Sequence, residues 1–195
     1  MKQGGSACAL FFLCACLFAC HSTEVPNQTT PAALRIGVLP DQNSEQLQAR
    51  YAPLLNYLSE ELDVPCELVV PADYSDLVEL FHAGKVDLAH FGGFTFVQAR
   101  LRSNAVPLVM RDVDTRFTSY FLIQGNNPAR TLSEFQGKSF SFGSELSTSG
   151  HLMPRYFLQE QNINPETFFA EVRYSGAHDL TALWVKDGAD DFSHL

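Results

Sequence analysis

The sequence predicts an α/β fold arranged as two α/β units in series, and three observations carry that expectation. After residue 33, short apolar runs of strand type alternate with stretches whose apolar residues recur at helical spacing, first over 34–110 and again over 131–186. A β-branched and aromatic segment, FTSYFLIQ at 117–124, followed by Gly125-Asn126-Asn127-Pro128, separates the two series with strong turn chemistry. The length beyond residue 33, about 160 residues, suits one ordinary domain or two small lobes.

Taken in order, LRIGVLP at 34–40 reads as a strand. Over Ser44–Leu62, the residues Leu47, Tyr51, Leu54, Leu55, Leu58 and Leu62 fall on one helical stripe, with Pro53 starting or kinking the regular helix. Cys66–Val70 is a second strand, Tyr74–Ala83 a helix closed by Gly84, and Val86–Phe91 a third strand ended by Gly92-Gly93. A helix over Phe94–Leu101 and a strand over Ala105–Met110 complete a β-α-β-α-β-α-β series, which implies a mostly parallel sheet with helices on its faces. The second unit reads as a short helix at Thr131–Phe135, a strand at Lys138–Phe142, a helix at Gly150–Gln159, a strand at Ala170–Tyr174 and a helix at Asp179–Lys186. Lobe one is thus expected over 34–125 and lobe two over 126–195, joined by an extended crossover as in a hinged binding protein.

Residues 1–20, MKQGGSACALFFLCACLFAC, have a different character. One cation at Lys2 precedes an apolar run from Ala7 to Phe18, too short to span a bilayer and shaped like the h-region of a secretory signal. The run ends in Leu17-Phe18-Ala19-Cys20, which resembles a bacterial lipobox. That resemblance implies cleavage before Cys20, lipidation of its thiol, export, and anchorage to a membrane facing the periplasm or cell surface. A plain cleavable signal with an incidental cysteine is the alternative. Residues 21–33 are polar and proline-containing and read as a flexible tether. Of the five cysteines only Cys66 lies in the folded part, so no intramolecular disulfide is expected there. Its apolar surroundings, PCELVVP, mark it as a buried small hydrophobe.

The formal net charge of −9 argues against nucleic acid and against a polybasic membrane patch. It leaves an anionic ligand open, because a few aimed N–H groups act locally. In open α/β sheets ligands sit beyond the carboxyl ends of the strands, so each strand-to-helix loop is a candidate. The loop Ser144-Glu145-Leu146-Ser147-Thr148-Ser149-Gly150 stands out: three hydroxyl residues run directly into a predicted helix start, where free N–H groups and the helix dipole favour an anion. On chemistry alone, an ordinary Ser/Thr helix cap is the simpler reading of the same residues. Pro154 falls late for a first turn capped at Ser149, so a small kink is expected.

The run SFGSELSTSGHLMPRYFLQEQNI resembles the signature segment of the phosphate/phosphite/phosphonate-binding family of ABC-transporter periplasmic proteins. The blocks IGVLP, YAPLLNYLSEEL, PADYSDLVELF and KVDLAHFGGFTFVQAR resemble that family's first lobe in order, and YSGAHDLTAL its later segment. The resemblance spans 34–186. It implies a type II periplasmic-binding-protein-like fold, capture of a small oxyanion for an ABC permease, and no cofactor or metal. It also implies that Ser147, Thr148, Ser149 and Gly150 hold the anion. Tyr74 and Tyr120 would reach in from the facing lobe, and His178 with Asp179 would stand near the oxyanion. By position alone Tyr74 also fits a helix-opening surface residue, Tyr120 a core aromatic and His178 a helix cap.

Three departures accompany the likeness. His90 stands where the family commonly has an aromatic, and Gly93 loosens the loop after that strand. The family chain is also longer and returns from lobe two to complete lobe one; the tail DGADDFSHL does not resemble that continuation, normally a strand. A truncated, non-functional homologue with an unpaired sheet edge in both lobes is therefore one alternative. A sensory protein of the same fold is another. A hydrolase is the third, with Ser147 or Ser149 and His178-Asp179 as a triad; against it, the loop is no Gly-x-Ser-x-Gly elbow. Histidines 82, 90, 151 and 178 show no metal-ligand spacing.

Overall fold

The computed structural model describes residues 33–194. The expected signal segment, Cys20 and the tether up to residue 32 lie outside the described residues.

The first half is built from β1 (Leu34–Val38), α1 (Ser44–Leu62), β2 (Cys66–Val69), α2 (Tyr74–His82), β3 (Leu88–His90) and α3 (Gly93–Ser103). Its three strands form a parallel sheet of order β2-β1-β3. α1 starts where the chain supplies a cap: Asn43 Oδ1 accepts from the Gln46 N–H (3.0 Å), and the helix carries Pro53 in its interior. Asp73 caps α2 through the Asp76 N–H (2.8 Å), and Gly84, at φ +64°, ends the turn that follows it. Ile36, Val38, Leu47, Leu77, Val78, Val86 and Ala99 make an aliphatic core. Only Leu47 of the predicted α1 stripe is fully buried; Leu54 and Leu62 are exposed. Cys66 is a free, half-buried thiol.

The second half contains β4 (Phe121–Ile123), a single 3-10 turn at Leu132–Phe135, β5 (Ser139–Phe142), α4 (Met153–Glu160), α5 (Pro165–Phe168), β6 (Glu171–Tyr174), α6 (His178–Lys186) and β7 (Phe192–His194). Its sheet order is β4-β7-β5-β6, with β5 parallel to both neighbours and β4 antiparallel to β7. The core is aromatic: Phe135, Phe140, Phe142, Phe169 and Phe192 cluster with Leu158. Phe140 packs at 4.7 Å between ring centroids against each of Phe142, Phe169 and Phe192.

Three expectations are corrected. Ala105–Met110 forms no strand, and Val106, Leu108, Val109 and Met110 are exposed. Apolar β-type composition is not sufficient for a strand, which needs a neighbour to take its ladder bonds. The segment 121–123, assigned to lobe one by the boundary at 125, pairs instead within the second sheet. The tail that did not read as a strand supplies β7, in the interior of that sheet. A three-residue Phe-Ser-His strand behind three acids carries little local β signal, so its place is set by the non-local partners β4 and β5.

Candidate functional site

The loop after β5 is held by a contact only glycines permit. Gly143 donates its N–H to the Gly150 carbonyl (2.8 Å), and a Cβ on Gly150 would lie 3.2 Å from Gly143 Cα. Between them the chain doubles back. Ser147 is the cap, its Oγ accepting from the Gly150 N–H (2.9 Å), and Thr148–Leu152 make a wide π-type turn before α4 begins at Met153. Such turns widen a helix start, a feature frequent at functional sites. Pro154 therefore sits in the first turn of α4, where its missing N–H costs nothing.

Two further helix starts meet this loop. Phe94, at the opening of α3, donates its N–H to Thr148 Oγ1 (2.8 Å), and the site of a Cβ on Gly93 is 3.4 Å from the same oxygen. The glycine that loosened the loop in the sequence reading thus gives Thr148 its seat against α3. His178 opens α6 on the other side; a Cβ on Gly150 would lie 3.3 Å from His178 Cε1. Three helix N-termini, each with a positive dipole end, so converge on Ser147–Gly150.

Tyr74, first residue of α2, is buried, and its hydroxyl reaches Ser147. Burial pushes the Tyr74 hydroxyl well up, Asp41 adds to the rise, and Ser147 opposes it, so Tyr74 stays a neutral donor. His178 is held below its ordinary pKa chiefly by burial, with Asp41 and Asp179 pulling the other way; its Nδ1 is buried with no hydrogen-bond partner among the described residues.

The remaining expected residues behave differently. The Asp179 carboxylate is taken up by main chain, Oδ2 accepting from the Asn43 N–H (2.9 Å) and Oδ1 from the Leu180 N–H (2.8 Å). It does not orient His178, so the triad arrangement is not formed. Tyr120 is 66% exposed and lies just ahead of β4. Its neighbour Ser119 faces the loop instead, its Oγ 3.5 Å from the Ser149 carbonyl. His90, on β3, pairs with the Tyr51 hydroxyl through Nδ1 (2.5 Å). Burial leads the lowering of its pKa, with Arg111 adding to it.

Sequence reasoning missed Asp41 and His194. Asp41 follows β1, and its carbonyl accepts the His178 N–H (3.0 Å); its position in a strand-to-helix loop was the signal that could have found it. His194, on β7, is buried beside His178, and burial first, then His178, lowers its pKa to about 4. No local pattern marks it. A surface depression of about 480 Å³ beside β4 and α6, lined by Gln124, Val185 and Lys186 among others, shares no residue with the cluster. Among the described residues no group of three or more His, Cys, Asp or Glu is placed to hold a metal ion. No helix among them is long and apolar enough to cross a membrane.

Residues 36–192 match the model of the ABC transporter phosphonate periplasmic substrate-binding protein family. The chain belongs to that family. The probable ABC transporter phosphite binding protein PhnD1 of Prochlorococcus marinus is 36% identical over 187 residues, which cover 92% of this chain and 62% of the relative. The phosphate-import protein PhnD of Mycolicibacterium smegmatis is 32% identical over 189 residues, 89% of this chain and 59% of the relative. The structure of the Prochlorococcus PhnD1 in complex with methylphosphonate superposes with a TM-score of 0.79 at 35% identity, covering 85% of this chain and 64% of that one. The chain thus spans about three-fifths of the length of these relatives, and its fold class is that of periplasmic binding proteins. The family is one of transport substrate-binding proteins.

Proposed function

We propose that this chain captures a small phosphorus oxyanion as the binding component of an ABC uptake system. The observation that carries the reading is the convergence of three helix starts on the hydroxyl loop Ser147–Ser149, with the neutral donors Tyr74 and His178 at its flanks. Such a site supplies donors and dipoles without net positive charge, which suits an anion inside an acidic protein. Each charge-assisted hydrogen bond contributes about 1.5–3 kcal/mol, so a few of them outweigh the ordering cost of binding.

Capture works by closure of the first-sheet half onto the second. The cross-contacts of a closed form are those from Phe94 to Thr148, from Asn43 to Asp179 and from His178 to Asp41. Closure creates the surface that a permease reads. Tyr120 joins the ligand only if its segment turns toward the loop. The protein is exported and held at the membrane by lipid on Cys20. No cofactor is used, and no bond is made or broken.

The test is calorimetric titration of the chain with phosphate, phosphite, methylphosphonate, aminoethylphosphonate and sulfate. At least one phosphorus anion is expected to bind, and replacing Ser147, Thr148 and Ser149 together by Ala is expected to abolish binding while the fold is kept. Unaltered affinity in that triple variant would sink the assignment.

A further inference from the structure

Within the cluster, Asp41 is the carboxylate whose acceptor capacity the fold leaves unused. It stands at the carboxyl end of β1, in the loop before α1. Its main-chain carbonyl is fixed to the start of α6 by the His178 N–H (3.0 Å). Oδ2 faces Arg50 at a loose 3.7 Å, whereas Oδ1 is buried and has no hydrogen-bond partner among the described residues. His178 Nδ1 shares that condition. Asp179, one residue away from His178, makes the contrast plain, because N–H groups of Asn43 and Leu180 take up both of its oxygens. A buried carboxylate oxygen without a donor carries a desolvation cost that a ligand able to donate would relieve.

The surroundings fix what that ligand must be. Arg50, on α1, stands 3.7 Å from Asp41 and the His178 N–H is bound to its carbonyl, while the charge of Asp41 is felt at Tyr51, Tyr74, His90, Arg111 and His178; Asp179 acts on His178 and Asp114 on His90 with the same sign. Burial keeps both tyrosines protonated and both histidines neutral, and the side chains of Arg50 and Arg111 are 48% and 61% exposed. With both oxygens of Asp179 taken up, Asp41 is the carboxylate of this group that keeps a buried oxygen free for a ligand.

We propose that Asp41 is a specificity-determining residue: its buried Oδ1 accepts a hydrogen bond from a protonated ligand oxygen. The pocket then takes a P–OH monoanion and rejects a fully ionised tetrahedral anion such as sulfate. Rejection comes from an acceptor facing an acceptor, which a neutral donor set cannot offset. The inference rests on the oxyanion reading of the Ser147–Gly150 loop and deepens it by naming the protonation state that is bound.

The experiment is titration of the full chain, wild type and Asp41→Asn, with methylphosphonate and with sulfate near neutral pH. The amide keeps the shape of the carboxylate and adds a donor. Wild type is expected to bind methylphosphonate and exclude sulfate. Asp41→Asn is expected to admit sulfate, moving the preference by at least about tenfold. A second measurement needs no variant: wild-type affinity for methylphosphonate should fall as pH is raised through the ligand's second ionisation, near neutrality for phosphorus oxyanions. A folded Asp41→Asn that still excludes sulfate overturns the role of Asp41 and leaves the oxyanion reading standing. So does a wild type whose affinity is flat across that pH range, even should the variant not fold. A wild type that binds none of the anions overturns both.

Discussion

The two sheets are built on one plan and finished differently. In each, the first strand of the unit lies between the second and the third, giving β2-β1-β3 and β6-β5-β7. The second sheet adds β4, which enters antiparallel and covers the outer edge of β7. The first sheet ends at β3, and the apolar run after α3 that reads as its next strand lies exposed instead. The cores follow the same division, a cluster of five phenylalanines on one side and a set of aliphatic side chains under a largely uncovered α1 on the other. Apolar patterning marks where a strand is wanted, and pairing decides whether it forms.

The sharpest way to break this comparison is to remove its best-packed residue. Phe140 is fully buried and packs against three neighbouring phenylalanines, so Phe140→Ala is expected to cost about 3–5 kcal/mol. Leu54→Ala, on the exposed side of α1, should cost under about 1 kcal/mol. Urea unfolding of both variants measures the difference. Equal losses would mean that α1 is covered in solution and that the two halves are equally complete.

Acid should also weaken the second half. His194 on β7 has a folded pKa of about 4 against an ordinary 6.5, chiefly through burial. The unfolded chain takes up the proton first, so its contribution is complete above about pH 6.5 and is lost as pH falls toward 4, by up to about 3 kcal/mol. The lowered values of His178 and His90 act with the same sign. Thermal melts near neutral pH and near pH 4 should show a smaller acid loss in His194→Phe than in wild type. An identical loss in the two proteins would place the acid sensitivity elsewhere.

What the sequence made legible divides along the same line. The span Ser44–Leu62 is legible to the residue, because an apolar stripe and the polar residues at its start are local facts. The Ser147 cap is legible for the same reason, since it closes its own turn. β7 has little local signal and Ala105–Met110 a misleading one, because the presence or absence of distant pairing partners settles both. Within the site, Ser147, Thr148, Gly150, His178 and Tyr74 come together in space. Asp179 is placed as a structural acceptor, and Ser119 rather than Tyr120 faces the loop. Asp41 carries no motif of its own beyond its strand-to-helix loop, because the His178 N–H that fixes its carbonyl lies far along the chain.

The smallest expected effect tests the bare edge directly. Val109 is 94% exposed, the most open large apolar side chain of the run after α3. If the run lies in solvent, Val109→Ser removes no packing and changes stability by less than about 0.5 kcal/mol. It should also reduce self-association in sedimentation, since a run of exposed apolar side chains favours contact between copies. A loss above about 1 kcal/mol in urea unfolding would have one physical meaning, that Val109 is buried in solution against a neighbour. The first sheet would then be completed as the second is, and the difference between the halves would lie in what covers their edges rather than in how far each has folded.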